Sequence, residues 1–349
     1  MLEWLEEPVI AALIGLGSGA VLGLAARLGR FCTLGAIEDA VYGGSLLRLR
    51  MWGFAIGVAI LASFALAAGG LFDPAASFYL SEGWSLPGAV LGGLVFGYGM
   101  ALAGSCGYGA LARLGGGDMR AFVIVLVMGV AAYATLSGPL SGLRVALFLP
   151  AGAPQPGMAG WLSLASGLPA AACGAAAGLL IAGAAFWGRG LLLPRGAVLA
   201  GGAVGLAIAA GWGGTYWLSR AGFDALPVVS HSFSAPLGET LLYAMTSSGA
   251  APSFGIGSVA GVLAGAFAGS LWKRQFRWEA CEDPRELKRQ ILGAALMGWG
   301  AVTAAGCSVG QGISAFSVLS VGAPVTLAAI ILGACLGLRQ LIRGFAPAE

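Results

Sequence analysis

Long apolar runs separated by short polar connections dominate the pattern along this chain. An α-helix needs about 20 mostly apolar residues to cross the hydrocarbon core of a bilayer. By that measure the pattern predicts nine membrane spans, of which the seventh is interrupted by Ser247, Ser248, Gly249 and Pro252. The predicted spans cover residues 9–28, 50–70, 86–104, 121–140, 160–187, 196–218, 236–272, 289–306 and 321–342.

Composition agrees with a membrane environment. Of 349 residues, 58% are hydrophobic and only 9% are charged, whereas soluble chains carry about 25% charged residues. The 61 glycines follow no three-residue period, which excludes a collagen-like chain, and a net charge of +3 makes no basic stripe for nucleic acid. The single histidine, His231, leaves little material for a histidine metal site. We therefore predict an all-α integral membrane protein, with one membrane domain over residues 1–349.

The positions of the basic residues predict the orientation. Lys and Arg are enriched in the cytoplasmic connections of membrane proteins. With the N-terminus outside, 16 of the 18 basic residues fall in cytoplasmic connections or at the C-terminal end, and only Arg144 and Arg220 fall outside. We expect an outside N-terminus and a cytoplasmic C-terminus. The longest polar segment, residues 273–289, is then a solvated cytoplasmic loop or, alternatively, a docking surface.

An internal repeat links two distant parts of the chain. Residues 91–109 read LGGLVFGYGMALAGSCGYG and residues 292–310 read LGAALMGWGAVTAAGCSVG, so that Cys106 aligns with Cys307 among shared glycines. In the predicted topology the two copies run in opposite directions through the membrane. Inverted repeats are typical of transporters, whose substrate site lies near the repeat interface. The predicted halves cover residues 9–150 and 196–342, joined by the helix around 160–187.

Two of the six cysteines lie in the repeated glycine-rich context. After Cys106 and Cys307 the chain is too short to cross the membrane before the next turn, which predicts short broken or re-entrant half-helices, and the segment after Cys32 can be a third. Free N–H groups and half-helix dipoles attract anions, and a thiol adds a weak donor. The candidate anion-binding residues are Cys32, Cys106, Cys307, Gly104, Ser105, Gly107, Gly306, Ser308 and Gln311.

Other interpretations of the cysteines stay open. A free cysteine often packs as a small hydrophobic residue, which is the interpretation we favour for Cys173 and Cys335, while Cys281 is an exposed thiol in the charged loop. No two cysteines form C-x-x-C, which argues against a thioredoxin-like pair and a zinc ribbon, although distant disulfides remain open. A membrane thiol oxidoreductase and a scaffold that docks partners through 273–289 remain alternatives. The chain has no nucleotide-binding loop of the form G-x-x-x-x-G-K-[ST].

Three cysteine segments together carry a family resemblance over essentially the whole chain. They are residues 29–35 (GRFCTLG), residues 97–106 (GYGMALAGSC) and residues 298–310 (GWGAVTAAGCSVG). With these segments in this order and spacing, the sequence resembles the YeeE/YedE family of bacterial inner-membrane proteins, whose characterised members import thiosulfate. One departure is that the family often has Gly-Gly-Cys, where this chain has Gly104-Ser105-Cys106 and Ala305-Gly306-Cys307.

The resemblance implies both a fold and a mechanism. It implies full membrane helices plus half-helices with inverted pseudo-symmetry, in the bacterial inner membrane, so that the outside N-terminus expected from the basic residues would be periplasmic. It also implies that Cys32, Cys106 and Cys307 line a narrow path along which thiols pass thiosulfate by S–H hydrogen bonds, without covalent chemistry or a cofactor. A cytoplasmic TusA-like sulfur carrier is a common companion in the family. Transport of another small sulfur- or selenium-containing anion is the nearest alternative.

Overall fold

The computed structural model describes residues 6–148, 156–186, 193–223, 226–281 and 283–344. Within these residues the regular structure is helical, apart from one isolated β-bridge between Asp118 and Glu279. The α-helices are α1 (Glu7–Gly29), α2 (Thr33–Val41), α3 (Leu47–Ala68), α4 (Phe78–Ser81), α5 (Gly93–Ala103), α6 (Gly107–Leu114), α7 (Met119–Leu136), α8 (Ser141–Phe148), α9 (Met158–Ser166), α10 (Ala170–Ala184), α11 (Arg195–Ala221), α12 (Ala235–Thr246), α13 (Phe254–Trp272), α14 (Pro284–Thr303) and α15 (Gly322–Gly344). Trp187, the last residue of the span predicted at 160–187, Arg189 in the connection after it and residues 149–150 of the first predicted half lie outside the described residues.

The described part of the chain holds seven helices, or broken helices, that are long and apolar enough to cross a membrane, and eight if the bent pair α9–α10 counts as one. The count of nine predicted spans is therefore not reached. The difference lies at α14, which overlaps the span predicted at 289–306 but begins at Pro284. Its first two turns carry Arg285, Glu286, Lys288 and Arg289, so they are too polar for the hydrocarbon core.

The structure corrects the prediction of one helix around 160–187. The structure has two helices there, α9 and α10, which are bent by 115° relative to each other. Gly167 ends α9 with a positive φ of 73°, and Pro169 immediately precedes α10. The left-handed residue reverses the backbone, and the proline cannot continue a helix from the turn before it. A single straight span over these residues is therefore wrong.

The interruption predicted in the seventh span is confirmed. The chain forms a short helix, α12, and then a full helix, α13, with Thr246 as the last residue of the first and Phe254 as the first residue of the second. Ser253 caps α13, because its Oγ accepts a hydrogen bond from the N–H of Ile256 at 3.3 Å. The start of α13 is thus fixed by its own side chain.

Glycines allow the helices to approach closely. Along the contact between α1 and α13, a Cβ added at Gly257, Gly261 or Gly265 would overlap with a backbone carbonyl of α1. Similar contacts join α5 to both α14 and α15, and α14 to both α5 and α7. Small residues at such crossings are how helices pack in lipid, where no hydrophobic driving force acts between them.

Four helix ends meet at one face of the molecule, which we call the amino-terminal face. The start of α1 and the ends of α7, α11 and α14 surround a common cavity there. At the other face, Lys273 after the end of α13 donates from Nζ to the carbonyl of Leu28 at the end of α1, at 2.9 Å. These relative directions agree with the alternation of spans that the sequence predicts.

Candidate functional site

Cys32, Cys106 and Cys307 share one local setting, because each directly precedes the first residue of a helical segment. Cys32 precedes α2, Cys106 precedes α6, and Cys307 precedes a short segment that is π-helical over Gly310–Ala315. The Sγ of Cys106 accepts from the N–H of Gly109 at 3.4 Å, and the Sγ of Cys307 accepts from the N–H of Gly310 at 3.5 Å. In each repeat copy, the thiol thus caps the start of a helical segment by accepting from the N–H three residues later.

Glycines and polar side chains shape the breaks before these cysteines. Gly104 ends α5 with a positive φ of 77°, and its carbonyl accepts from Arg113 Nη1 at 3.4 Å. At the second break, Gln311 Nε2 donates to the carbonyls of Ala304 and Ala305, at 2.9 and 3.1 Å. Carbonyls that the helix ends leave without partners are satisfied in this way. Specific hydrogen bonds therefore stabilise both helix breaks.

Two of the three short segments continue the helix before them. The pairs α1–α2 and α5–α6 each qualify as one membrane-crossing unit, over Glu7–Val41 and Gly88–Leu114. Only three residues separate the two helices in each pair, and the pairs are not strongly bent. Of the two predicted alternatives, broken or re-entrant half-helices, the segments after Cys32 and Cys106 therefore take the broken form, with the cysteine at the break.

Hydroxyl groups connect the two repeat copies between the cysteines. Thr33, next to Cys32, donates from Oγ1 to Ser308 Oγ at 3.1 Å, and the same Oγ1 lies 3.9 Å from the Sγ of Cys106. A Cβ built at Gly109 would lie 3.7 Å from the Sγ of Cys106 and 3.9 Å from that of Cys32. Segments that are distant in sequence thus bring Cys32 and Cys106 together, and Ser308 joins them to Cys307.

A cavity of about 600 Å³ opens above Cys307 at the amino-terminal face. Gly306, Tyr79 and Ser232 belong to its lining. Cys307 itself is buried, accepts a hydrogen bond from the N–H of Phe233 at 3.2 Å, and has Ser232 Oγ at 3.9 Å from its Sγ. The cavity also has one cation, Arg144, and one carboxylate, Glu239, among its described lining residues.

The remaining sequence-predicted residues fall beside these cysteines. Gly107 is close-packed, because a Cβ there would lie 2.8 Å from the carbonyl oxygen of Phe233 and 2.9 Å from Met128 Sδ. Ser105 Oγ and Gln311 Oε1 are buried with no hydrogen-bond partner among the described residues. Buried polar atoms of this kind are uncommon in folded proteins and often serve a function.

Sequence reasoning missed several hydroxyl groups at this site. Thr33, Tyr79 and Ser232 lie next to the cysteines in space, but none of them belongs to the repeated motif. A signal existed for one of them, since residues 230–234 read SHSFS, a polar cluster in an apolar chain. The segment around Tyr79 carried no comparable signal.

The other three cysteines lie apart from this cluster. Cys173 is buried in α10 with its Sγ 3.6 Å from Ser166 Oγ, Cys335 is half-buried in α15, and Cys281 is exposed. All six cysteines are free thiols. No disulfide therefore supports thiol–disulfide exchange as the chemistry of the cluster.

The polar segment 273–289 is largely exposed over residues 273–281, as predicted for a solvated loop, but part of its backbone is hydrogen-bonded. Its backbone pairs with the turn after α6, through Arg277 N–H to Gly116 O at 3.1 Å and Glu279 N–H to Gly117 O at 3.0 Å. Met119 N–H donates in return to the carbonyl of Glu279 at 3.0 Å, and α14 already begins at Pro284. The segment therefore closes over the end of the broken span α5–α6.

Asp118 is the charged centre of that contact. Its carboxylate accepts hydrogen bonds from Arg113 at 2.7 Å and from Arg120 at 3.1 Å, and Arg120 also reaches Glu279 at 3.4 Å. Burial alone would raise the pKa of Asp118, but the two guanidinium groups outweigh it and hold this pKa below its ordinary value.

Comparison with known proteins agrees with this architecture. The family model described as sulphur transport matches residues 28–336, a range that includes Cys32, Cys106 and Cys307. The chain belongs to this sulphur transport family. The resemblance to YeeE/YedE proteins that the cysteine segments indicated is therefore confirmed.

Two relatives of this chain bear the name thiosulfate transporter. The thiosulfate transporter TsuA of Escherichia coli (strain K12) is 26% identical over 336 residues, which cover 92% of each chain. The thiosulfate transporter TsuA of Spirochaeta thermophila is 32% identical over 127 residues, which cover 36% of this chain and 37% of the relative. This member of the sulphur transport family is thus a multi-pass membrane protein with transporters as relatives.

Proposed function

We propose that the protein imports thiosulfate along a path lined by Cys307, Cys106 and Cys32. The observation that carries the proposal is the hydroxyl link between the repeat copies, in which Thr33 bridges Ser308 and Cys106. The link makes a polar track between Cys307 and Cys106 through a largely apolar core. The track begins beneath the cavity at the amino-terminal face and ends at Cys32, which is partly exposed.

The chemistry of the track suits a small anion with sulfur at one end. Each capping Sγ accepts a backbone N–H, which leaves the thiol hydrogen available for donation to a passing anion. Ser105, Gln311 and Ser308 add polar groups beside the thiols, while Gly104, Gly107 and Gly306 allow the backbone to turn there. The anion then moves between donors by exchange of hydrogen bonds, without covalent chemistry.

In this proposal the two halves of the chain form an inverted repeat, and each half supplies one end of the track. The proposed halves, 9–150 and 196–342, place α5 and α14 as equivalent helices and α7 and α15 as another equivalent pair. The helix contacts support this, since α5 packs against α15 as α14 packs against α7. The break after α5 leaves Gly104 exposed and the break after α14 leaves Ala305 exposed, as the two mouths of one path require.

The basic residues support an inner-membrane protein with the amino-terminal face in the periplasm and the C-terminus in the cytoplasm. The cavity is then the entrance, and Cys32 lies toward the exit. The family resemblance supports a TusA-like sulfur carrier as the cytoplasmic partner that receives the sulfur species.

Uptake of radiolabelled thiosulfate by proteoliposomes that contain only this protein tests the substrate. We expect time-dependent uptake that exceeds uptake by protein-free liposomes, and slower uptake of labelled sulfate and sulfite. Uptake of a selenium analogue or of sulfite, without uptake of thiosulfate, would assign the transport to a different anion.

A further inference from the structure

Hydroxyl groups converge on the floor of the cavity above Cys307. A Cβ built at Gly310 would lie 2.7 Å from Ser232 Oγ and 2.9 Å from Tyr79 Oη. A Cβ at Gly306 would lie 3.4 Å from the same Tyr79 Oη. Tyr79 and Ser232 thus reach the same glycine-lined spot from two different segments of the chain.

Packing fixes the position of the Tyr79 hydroxyl. The Tyr79 ring lies edge-on to Trp212, with ring centroids 6.2 Å apart, and Trp212 is fully buried with its Nε1 donating to Ser317 Oγ at 2.8 Å. The segment before Tyr79 is held by a hydrogen bond from the Phe78 N–H to the carbonyl of Val228 at 3.2 Å. A donor held in place in this way binds a ligand without a large ordering cost.

The end of the cavity next to Cys307 therefore has two kinds of hydrogen-bond donor, first hydroxyl groups and then a thiol. Tyr79 and Ser232 line the cavity, and the Sγ of Cys307, which is not part of the lining, lies 3.9 Å from Ser232 Oγ. Hydroxyls are strong donors to charged oxygen atoms, whereas a thiol is a weak and polarisable donor. An anion with oxygens at one end and sulfur at the other matches this order in only one orientation.

We propose that Tyr79 and Ser232 form an oxyanion site that holds the oxygen end of the incoming anion while its terminal sulfur points to Cys307. This proposal rests on the proposed import of thiosulfate and adds the orientation in which the ion enters. Sulfate has the same charge and the same oxygen end but no terminal sulfur. Sulfate therefore binds the hydroxyls as a competitor and gains nothing from Cys307.

Competition kinetics in proteoliposomes test the orientation. For Tyr79→Phe and for Ser232→Ala, we expect the KM for thiosulfate and the inhibition constant for sulfate to rise together, by about tenfold, because each variant removes a hydrogen bond to a charged group. For Cys307→Ala we expect weaker binding of thiosulfate with an unchanged inhibition constant for sulfate. Tyr243→Phe, which removes the same oxygen atom from a half-buried tyrosine outside the cavity lining, is the matched control and should behave as wild type.

The outcomes separate this site from the transport function. If Tyr79→Phe leaves both constants unchanged while the wild type transports thiosulfate, the hydroxyl site is wrong and the proposed function stands. If Cys307→Ala weakens sulfate and thiosulfate equally, the orientation is wrong. If the wild type takes up no thiosulfate, both proposals fail. Calorimetric titration of each purified variant with thiosulfate, with thermal unfolding as a check of folding, gives a readout that is independent of transport.

Discussion

Single residues at the cluster combine a structural and a chemical role. The thiols of Cys106 and Cys307 cap helix segments, and they do so as acceptors, so their hydrogen atoms remain free to donate. Serine or aspartate would cap a helix as well. A capping role alone does not explain why both positions are cysteine, whereas donation to a sulfur-containing anion does.

Asp118 shows how one buried carboxylate holds a polar interface together. Its pKa is held below its ordinary value of about 3.9, so the ionised form stabilises the folded protein at any pH above that value. This contribution is lost as the pH falls through the lower pKa of the folded state. Acidification should therefore weaken the contact between the segment 273–281 and the turn after α6.

Asp118→Asn tests this contact by thermal unfolding in detergent. At about pH 7 we expect the variant to lose about 1–3 kcal/mol of stability, because it weakens hydrogen bonds to two charged groups. The difference from wild type should shrink progressively as the pH falls from about 4 through the lower pKa of the folded state, where the wild-type carboxylate also becomes protonated. Asp73→Asn is the control, since asparagine can replace the exposed aspartate that caps residues 74–76. Equal stability of Asp118→Asn and wild type at neutral pH would contradict this account.

The chemistry of single residues was only partly predictable from sequence. Cys106 and Cys307 stood out because the two repeat copies share a cysteine among shared glycines, which matches of Gly and Ala alone would not show in a chain rich in small residues. Thr33 could not be found in the same way, because its role depends on a hydrogen bond to Ser308, which lies 275 positions further along the chain. Tyr79 depends likewise on packing against Trp212.

At the scale of elements, close helix crossings depend on glycine. The contact between α1 and α13 runs along Gly257, Gly261 and Gly265, each of which lies against a backbone carbonyl of α1. A Cβ at these positions would overlap with backbone atoms, and no change of side-chain rotamer can relieve that overlap. The helices themselves must separate, and the cavity that both helices line would be altered with them.

Gly257→Ala should destabilise the protein by about 1–3 kcal/mol, the usual cost of overpacking a close contact. Its new Cβ would overlap with the carbonyl of Ala12. Gly17→Ala on α1 is the matched control, because no atom lies within 4 Å of a Cβ built there. Thermal unfolding of both variants in the same detergent makes the comparison. Two variants of equal stability would show that the crossing tolerates a wider separation.

The spans themselves were mostly predictable, because hydropathy alone reports them. Residues 9–28 and 196–218 fall within α1 and α11, and residues 321–342 match α15 to within one residue at its start. The bend between α9 and α10 was not predicted, since Gly167 and Pro169 interrupt an apolar run without adding charge. Similarly, the direction of α2 and α6 after their breaks is set by tertiary packing, which hydropathy does not report.

At the scale of the whole molecule, the two repeat copies meet along the proposed path. A cavity at one face leads to Cys307, a hydroxyl link crosses between the copies, and Cys106 and Cys32 lie together beyond it. The arrangement explains why the cysteines are far apart in sequence. Each copy supplies one break in a helix, and the inverted repeat that we propose would place the two breaks toward opposite faces.

The most direct test of this account is thiosulfate uptake by proteoliposomes that contain single cysteine variants. We expect Cys307→Ala, Cys106→Ala and Cys32→Ala to reduce uptake by about tenfold or more, because each removes a donor to the charged ion. Cys173→Ala and Cys335→Ala, which alter thiols outside the cluster, should stay within about twofold of wild type. Path variants that fold normally and transport at the wild-type rate would contradict the thiol path.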